Sequence, residues 1–411
     1  MAKLALNGGP KLRTEPFAAW PPKDPGFLRA LSSVLEDGRW GVGGPQGKRL
    51  CETFAVFQDA EYAVACTSGT TALMLCLEAL GVGYGDEVIV PAYTFIATAG
   101  SVISMGAVPI FADIDPNTFC LDVADAEAKI TPRTKAIIPV HIGGMPCDMQ
   151  TLKIMAEKHG LGIIEDCAQA HGAEYQGKRV GAIGDTGAFS FQSSKNVAAG
   201  EGGIMVTNDS DLWLRAWSYH NIGRVPEGGW YDHRVFGTNL RLSEFQAALI
   251  LRGLELLPDH MKRREENAMC LRKRLDEIDG IGYQAFPEGA TRSAWHLFIF
   301  KYDRKQMKDV SRNRFLKALA AEGLPTSSGY NPLYREGMFR AGWDPSKPPF
   351  SPNVYSGEVD YNNANCPNCE FVCDDGAFWM PQHILLGTQK DMDDIADAIL
   401  KVKENLDEIG E

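Results

Sequence analysis

"EYAVACTSGTTALMLCLEALG", residues 61–81, holds the fold in outline. Residues 61–66 are a short apolar run, and residues 70–81 are long and apolar enough for a buried helix. Between them, Ser68-Gly69-Thr70 has the hydroxyl and glycine chemistry of a helix start. A strand that passes at once into a helix is half of a βαβ unit. The alternation recurs downstream: "DEVIVPA" (86–92) leads into "TFIATAGSVISMG", and "AVPIFADI" (107–114) follows. Next come "KAIIPVHI" (135–142), a helical "MQTLKIMAEKHG", and the runs "LGIIED" (161–166), "TGAFSFQ" (186–192) and "GGIMVTN" (202–208). These seven runs are nearly uniformly apolar rather than alternating, which predicts an α/β fold with a mainly parallel seven-stranded sheet buried on both faces.

After Arg241 the texture changes. Residues 242–278 form a long helical tract with a break expected at Pro258. "SAWHLFIFKY" (293–302) reads as a strand, and residues 311–323 as a helix capped by Ser311. The expected organisation is an N-terminal arm over 1–25, a large domain over 26–255 and a smaller α+β C-terminal domain over 256–411.

The chain has 411 residues, 45% hydrophobic and 23% charged, which is ordinary globular composition. A net charge of −12 without a lysine-arginine run argues against a nucleic-acid surface. No stretch approaches the ~18 apolar residues of a membrane span, and no secretory apolar segment opens the chain, so a cytoplasmic location is expected. Several of the ten cysteines sit in apolar runs and read as buried thiols. "CPNCEFVC" gathers Cys366, Cys369 and Cys373 but lacks a fourth ligand at finger spacing; ordinary cysteines around a turn, and no metal, are the better reading.

Ligands of such sheets bind beyond the carboxyl ends of the strands, so the residues after each run carry the information. Ser68, Gly69 and Thr70 suit a phosphate at a helix N-terminus, although alone they are equally a plain N-cap. "GVGGPQG" (41–47) and "GVGYGDE" (81–87) lack the strand-turn-helix context of a dinucleotide site. Tyr93, Thr94 and Phe95 put an aromatic ring beside the phosphate position; core packing is the ordinary role of such a ring. Asp166 ends a very apolar strand, where a carboxylate is costly unless paired, and Gln169 and His171 follow it. Lys195 lies between the apolar Phe189-Ser190-Phe191 and the turn Gly200-Glu201-Gly202-Gly203. A lysine in a partly dry pocket has a lowered pKa and becomes a nucleophilic amine. A phosphate site, a flat-ring platform, a carboxylate and an amine together describe a holder for pyridoxal 5′-phosphate, whose pyridine nitrogen pairs with an acid and whose aldehyde condenses with lysine.

"SGTTAL", "PAYTFIATA", "EDCAQAHGA", the pattern Phe-Ser-Phe-x3-Lys-x4-Gly-Glu-Gly-Gly and "GTNLRLSEFQAA" resemble the DegT/DnrJ/EryC1/StrS sugar aminotransferases, fold-type I pyridoxal-phosphate enzymes. The resemblance implies that Lys195 bonds to the cofactor, Asp166 pairs with its ring nitrogen, Gln169 lies near the ring hydroxyl and Phe95 covers the ring. It implies that Ser68, Gly69, Thr70 and Ser190 hold the phosphate, joined by Asn239 from a second copy of the chain in a homodimer with shared active sites. "TPRTKAIIPVH", "NPLYREGMF" and the late "CPN" segment resemble the branch acting on cyclic ketones, which includes glutamine-dependent aminocyclitol aminotransferases and 3-amino-5-hydroxybenzoate synthase. The implied reaction moves an amino group from L-glutamine or L-glutamate to a ketone on a cyclitol or sugar. Arg224 in "HNIGR" is the expected partner of the donor's carboxylate. The alternatives are a dehydrating and aromatising enzyme, a nucleotide-sugar aminotransferase, or a non-catalytic cofactor-binding regulator; a lysine at 195 argues against the offshoot that has histidine there.

Overall fold

Each of the seven apolar runs contains a strand in the computed structural model, which describes residues 3–340 and 344–409. They are β1 (Tyr62–Cys66), β2 (Glu87–Pro91), β3 (Val108–Ala112), β4 (Thr134–Ile137), β5 (Gly162–Asp166), β6 (Thr186–Ser190) and β7 (Gly203–Thr207). Their order across the sheet is β1-β7-β6-β5-β4-β2-β3. Only β7 runs antiparallel to its neighbours. Every residue of β2, β6 and β7 is buried, as a sheet covered on both faces requires.

The first helices are α1 (Pro25–Asp37), α2 (Pro45–Phe57), α3 (Gly69–Ala79), α4 (Ala97–Ser104), α5 (Met149–His159) and α6 (Ser210–His220). α3 begins in a capping box: Ser68 Oγ accepts the Thr71 amide, and Thr71 Oγ1 accepts the Ser68 amide at 2.9 Å. α2 begins on a carboxylate from far along the chain, since buried Glu244 accepts the Gln46 and Gly47 amides at 2.6 and 2.8 Å.

α7 (Glu244–Leu275) corrects the expected break, because it runs unbroken through Pro258. Proline removes one amide but does not forbid a helix whose two halves are both packed. Ile250, Leu254, Leu257 and Met261 belong to the large core. Ala268, Leu271 and Leu275 belong to a second core, built around a three-stranded antiparallel sheet of β8 (Ile281–Tyr283), β9 (Leu297–Tyr302) and β10 (Ala377–Pro381). α8 (Arg312–Ala321) and α9 (Gln389–Glu404) complete that layer. Ser311 is the N-cap of α8, but its side chain makes no capping bond; Asp375 accepts the Arg312 amide instead, at 2.8 Å. Between β9 and β10 the chain returns to the large core, burying Leu333, Tyr334, Phe339, Tyr361, Cys366 and Cys369 there. Cys369 and Cys373 bring their sulfurs within 3.9 Å of each other at the end of this excursion.

The N-terminal arm is tied down along its length. Leu4 is buried in the second core, and the Ala5 and Leu12 amides donate to buried Glu322 at 2.8 and 3.0 Å. Arg13 pairs with Asp391 and Asp394 on α9. Among the described residues no helix is long and apolar enough to cross a membrane.

Candidate active site

Three strand ends and one loop build the site. At the end of β1, glycine is required twice. A Cβ on Gly69 would stand 2.6 Å from Ser190 Cβ, and one on Gly203 would stand 2.0 Å from the Ser68 carbonyl oxygen. These contacts draw the N-terminus of α3 against the end of β6 and the start of β7, bringing Gly69 against Ser190 and Ser68 against Gly203. The first-turn amides of α3 have no partner within the helix, and they carry the positive end of its dipole.

At the end of β5, Asp166 is 5% exposed. Its Oδ2 accepts from Thr98 Oγ1 at 2.8 Å and its Oδ1 from the Ala168 amide at 3.1 Å. Thr98 in turn contacts Thr94 Oγ1 at 3.0 Å. Burial holds the Asp166 carboxyl above the usual carboxylate range, against the opposing pull of Thr98, Ala168, and the Lys195 charge. Lys195 follows a turn in which its amide donates to the Gln192 carbonyl at 2.9 Å. Burial pushes its amine down to about 8, and the Asp166 charge works in the other direction. The two groups therefore sense each other, yet among the described residues Lys195 Nζ makes neither a hydrogen bond nor an ion pair.

Gln169 is fixed in one orientation. The Gly143 amide can only donate, so Oε1 faces it at 2.6 Å, and Nε2 donates to Tyr330 Oη at 2.9 Å. One Nε2 hydrogen remains for a ligand. Tyr330 stands edge-on to Tyr93 and Trp379, carrying the excursion between β9 and β10 to this pocket. His171 lies among Phe54, Phe189 and Phe191, where burial and then the Lys195 charge push its imidazole down to about 3.

Phe95 follows β2 with its ring 58% exposed, whereas Tyr93 is buried. Asn239 and Arg224 make contacts on the loop after α6. Asn239 is exposed on the loop after α6, where Oδ1 accepts the Arg241 amide at 3.3 Å. Arg224 donates to the Trp230 carbonyl at 3.0 Å with its guanidinium 4.3 Å from that indole. Thr98, Gly143 and Tyr330 are the residues that sequence reasoning missed. Thr98 lies inside "PAYTFIATA", among the residues after β2; nothing local marks the other two. A cavity of about 790 Å³ opens elsewhere, between Gly41–Gly44, β1 and the tryptophans Trp213 and Trp217 of α6.

The profile of the DegT/DnrJ/EryC1/StrS aminotransferase family matches residues 23–400, and the chain belongs to that family. The L-glutamine:2-deoxy-scyllo-inosose aminotransferase of Streptomyces paromomycinus is 38% identical over 417 residues, covering 97% of each chain. The protein of the same name from Streptomyces fradiae is also 38% identical, covering 98% of each. Among solved structures, 3-amino-5-hydroxybenzoic acid synthase superposes with a TM-score of 0.85 at 33% identity, over 95% of this chain and all of that one. An aminotransferase from Psychrobacter cryohalolentis gives 0.86 at 32% identity with the same coverage.

Proposed function

We propose that this aminotransferase uses pyridoxal 5′-phosphate to move the amino group of L-glutamine to the ketone of a cyclitol. The observation that carries the reading is a buried acid and a half-buried amine that feel each other's charge yet, among the described residues, form neither a hydrogen bond nor an ion pair. Opposite charges in a dry pocket close into an ion pair unless something belongs between them. A flat ring with a basic nitrogen at one end and an aldehyde toward the other would answer both groups, and Ser68, Gly69, Thr70 and Ser190 at the start of α3 would hold its phosphate. Such a cofactor supplies an electron-accepting ring that stores the amino group between the two half-reactions.

The chain's own residues then divide the work. Asp166, poorly solvated, would pair with the ring nitrogen and hold a proton on that atom. Lys195 has an amine that is half uncharged near pH 8, so it would be the group to hold the cofactor's aldehyde end and, when free, to take up and return a proton at its Nζ. Gln169 offers its free Nε2 hydrogen to the ring's hydroxyl oxygen, a direction set by the Gly143 and Tyr330 contacts. Phe95 would cover one ring face, and His171 stays neutral among phenylalanines.

A second copy of the chain completes the site in this reading. The loop after α6 exposes Trp230, Tyr231, Val235 and Phe236, the last at 99%. Apolar side chains so displayed mark a protein contact, and that contact would carry Asn239 toward the partner's phosphate cradle. The cyclitol acceptor is supported by the full-length likeness to 2-deoxy-scyllo-inosose aminotransferases. The benzoate-synthase likeness supports a second reading, in which water is also lost from the acceptor.

The test is to supply the purified protein with glutamine and a panel of keto-cyclitols, nucleotide keto-sugars and cyclohexenone acids. Amine formed on a keto-cyclitol supports the proposal. Turnover confined to nucleotide keto-sugars, or an aromatic product, contradicts it.

A further inference from the structure

The turn that carries Lys195 is held from two sides, and only one hold lies within the large core. Gln192 Oε1 accepts the Ser194 amide at 2.8 Å and the Ser194 hydroxyl at 2.7 Å, while the Ser193 amide donates to the Gly200 carbonyl at 3.0 Å. Below the turn, Asn196 Nδ2 donates to the Ala294 carbonyl at 2.7 Å, which turns its Oδ1 to His296 Nδ1 at 3.1 Å. That imidazole nitrogen is therefore the donor. Above the turn, the Ser193 carbonyl, two residues from Lys195, accepts from Trp20 Nε1 at 3.1 Å. Trp20 comes from the N-terminal arm, which Glu322, Asp391 and Asp394 tether to the second core.

The indole is braced in turn. His260 meets its edge at 5.9 Å, and the Arg264 guanidinium stands 5.3 Å from its ring centre. Arg264 is fully buried, forms no ion pair among the described residues, and donates from Nε and Nη2 to Gln382 Oε1. Among the described residues its Nη1 has no hydrogen-bond partner. A buried guanidinium without an anion is unfavourable, and burial pushes it down to about 9. The face of an aromatic ring is the remaining source of negative potential, and it gains strength where water is excluded. The arm's tryptophan thus answers a standing demand of Arg264, and its N–H is left pointing at the lysine turn.

We propose that Trp20 is a positioning residue for Lys195: through the Ser193 carbonyl it holds the turn that aims the amine into the Asp166 pocket, with Arg264 and Gln382 as its brace. The inference rests on Lys195 being the reacting amine. The arm then does more than seal the second core, because it ties that core's placement to the geometry of the reacting group.

Trp20→Phe tests this with little risk to folding, since it keeps an aromatic face for Arg264 while removing the N–H donor with the smaller ring that carries it. The variant is expected to lose about tenfold in kcat for both half-reactions, with each KM within about twofold. In the cofactor-loaded enzyme, amide exchange over residues 193–196 should accelerate about tenfold, while the peptide spanning β6 is unchanged. The pH dependence of Lys195 labelling by an acylating reagent should move upward, toward a solvated amine. Wild-type kcat and wild-type exchange at the turn would overturn the proposal. So would a lowered melting temperature with Lys195 labelling unmoved, the mark of a merely structural role. A wild-type enzyme whose Lys195 cannot be trapped on the cofactor by borohydride would instead defeat the proposed function, which keeps the two failures distinct.

Discussion

Glu165 and Asp166 are consecutive on one strand and both are buried, yet they are solved oppositely. Because strand side chains alternate, they point to opposite faces of the sheet. Glu165 is saturated: Oε1 accepts the Ile183 and Gly184 amides at 2.8 and 2.7 Å, and Oε2 accepts the Gly181 amide at 2.8 Å and meets His141 Nε2 at 3.0 Å. The other nitrogen of His141 accepts the Cys147 amide at 2.9 Å, so the ring donates to Glu165 and the group closes on itself. Its proximity to Cys167 makes a ligand-like trio, but the carboxylate and imidazole are already committed to the chain. Asp166 accepts two hydrogen bonds and faces an amine that nothing else engages. A carboxylate whose lone pairs are spent holds the fold together; one left half-satisfied within reach of an amine's charge is the kind on which the proposed function rests.

Substitution should separate the two most sharply. Asp166→Asn is expected to cut kcat by roughly 10²–10⁴-fold, as for loss of a positioned acid-base group, with the melting temperature of the cofactor-free chain held or raised. Glu165→Gln should do the reverse. It sets an amide NH₂ against backbone donors at a cost of about 2–4 kcal/mol, read as a fall of several degrees in melting temperature, with kcat within roughly threefold. Equal losses of activity from both would erase the contrast.

The Lys195 amine sharpens it next. Its folded pKa of about 8 lies below the ordinary 10.5, so the charged form is disfavoured by folding. A lowered pKa contributes stability present above the unfolded value and lost as pH falls through the folded one. Lys195→Met should therefore stabilise the cofactor-free chain by about 2–3 kcal/mol at pH 7, with the gain shrinking as pH rises from about 8 toward 10.5. A gain independent of pH in denaturant titrations would refute the charge-based account.

Gly69→Ala drives a Cβ against Ser190, and it should weaken cofactor affinity about tenfold by equilibrium dialysis while leaving Glu165 and its partners undisturbed. Arg224→Ala carries the smallest expectation, because its guanidinium is already engaged with Trp230. A rise in the donor's KM of about fivefold, with the acceptor's unchanged, would return it to the donor's carboxylate; equal changes remove it from that role.

The large sheet was legible because burial on both faces writes itself as uninterrupted apolar runs, and all seven fall on observed strands. Asp166 and Lys195 stood out because a charge beside such a run needs a reason. What escaped the sequence depends on distant partners. Pro258 reads as a break, but two hydrophobic cores grip α7 on either side of it. Ser311 reads as a cap, but Asp375 reaches its helix first. Tyr330 meets Gln169 from 161 positions away, and Trp20 reaches the Ser193 carbonyl from 173. No local pattern encodes either contact, because each follows from how the second core and its arm lie over the sheet.

Reducing the purified, cofactor-loaded enzyme with borohydride and mapping the phosphopyridoxyl group by peptide mass spectrometry probes the acid-amine pocket most directly. The group should be found on Lys195 alone, and in the Asp166→Asn enzyme it should still be found there while turnover is lost. A label spread over other lysines, or absent from residue 195, would contradict the account.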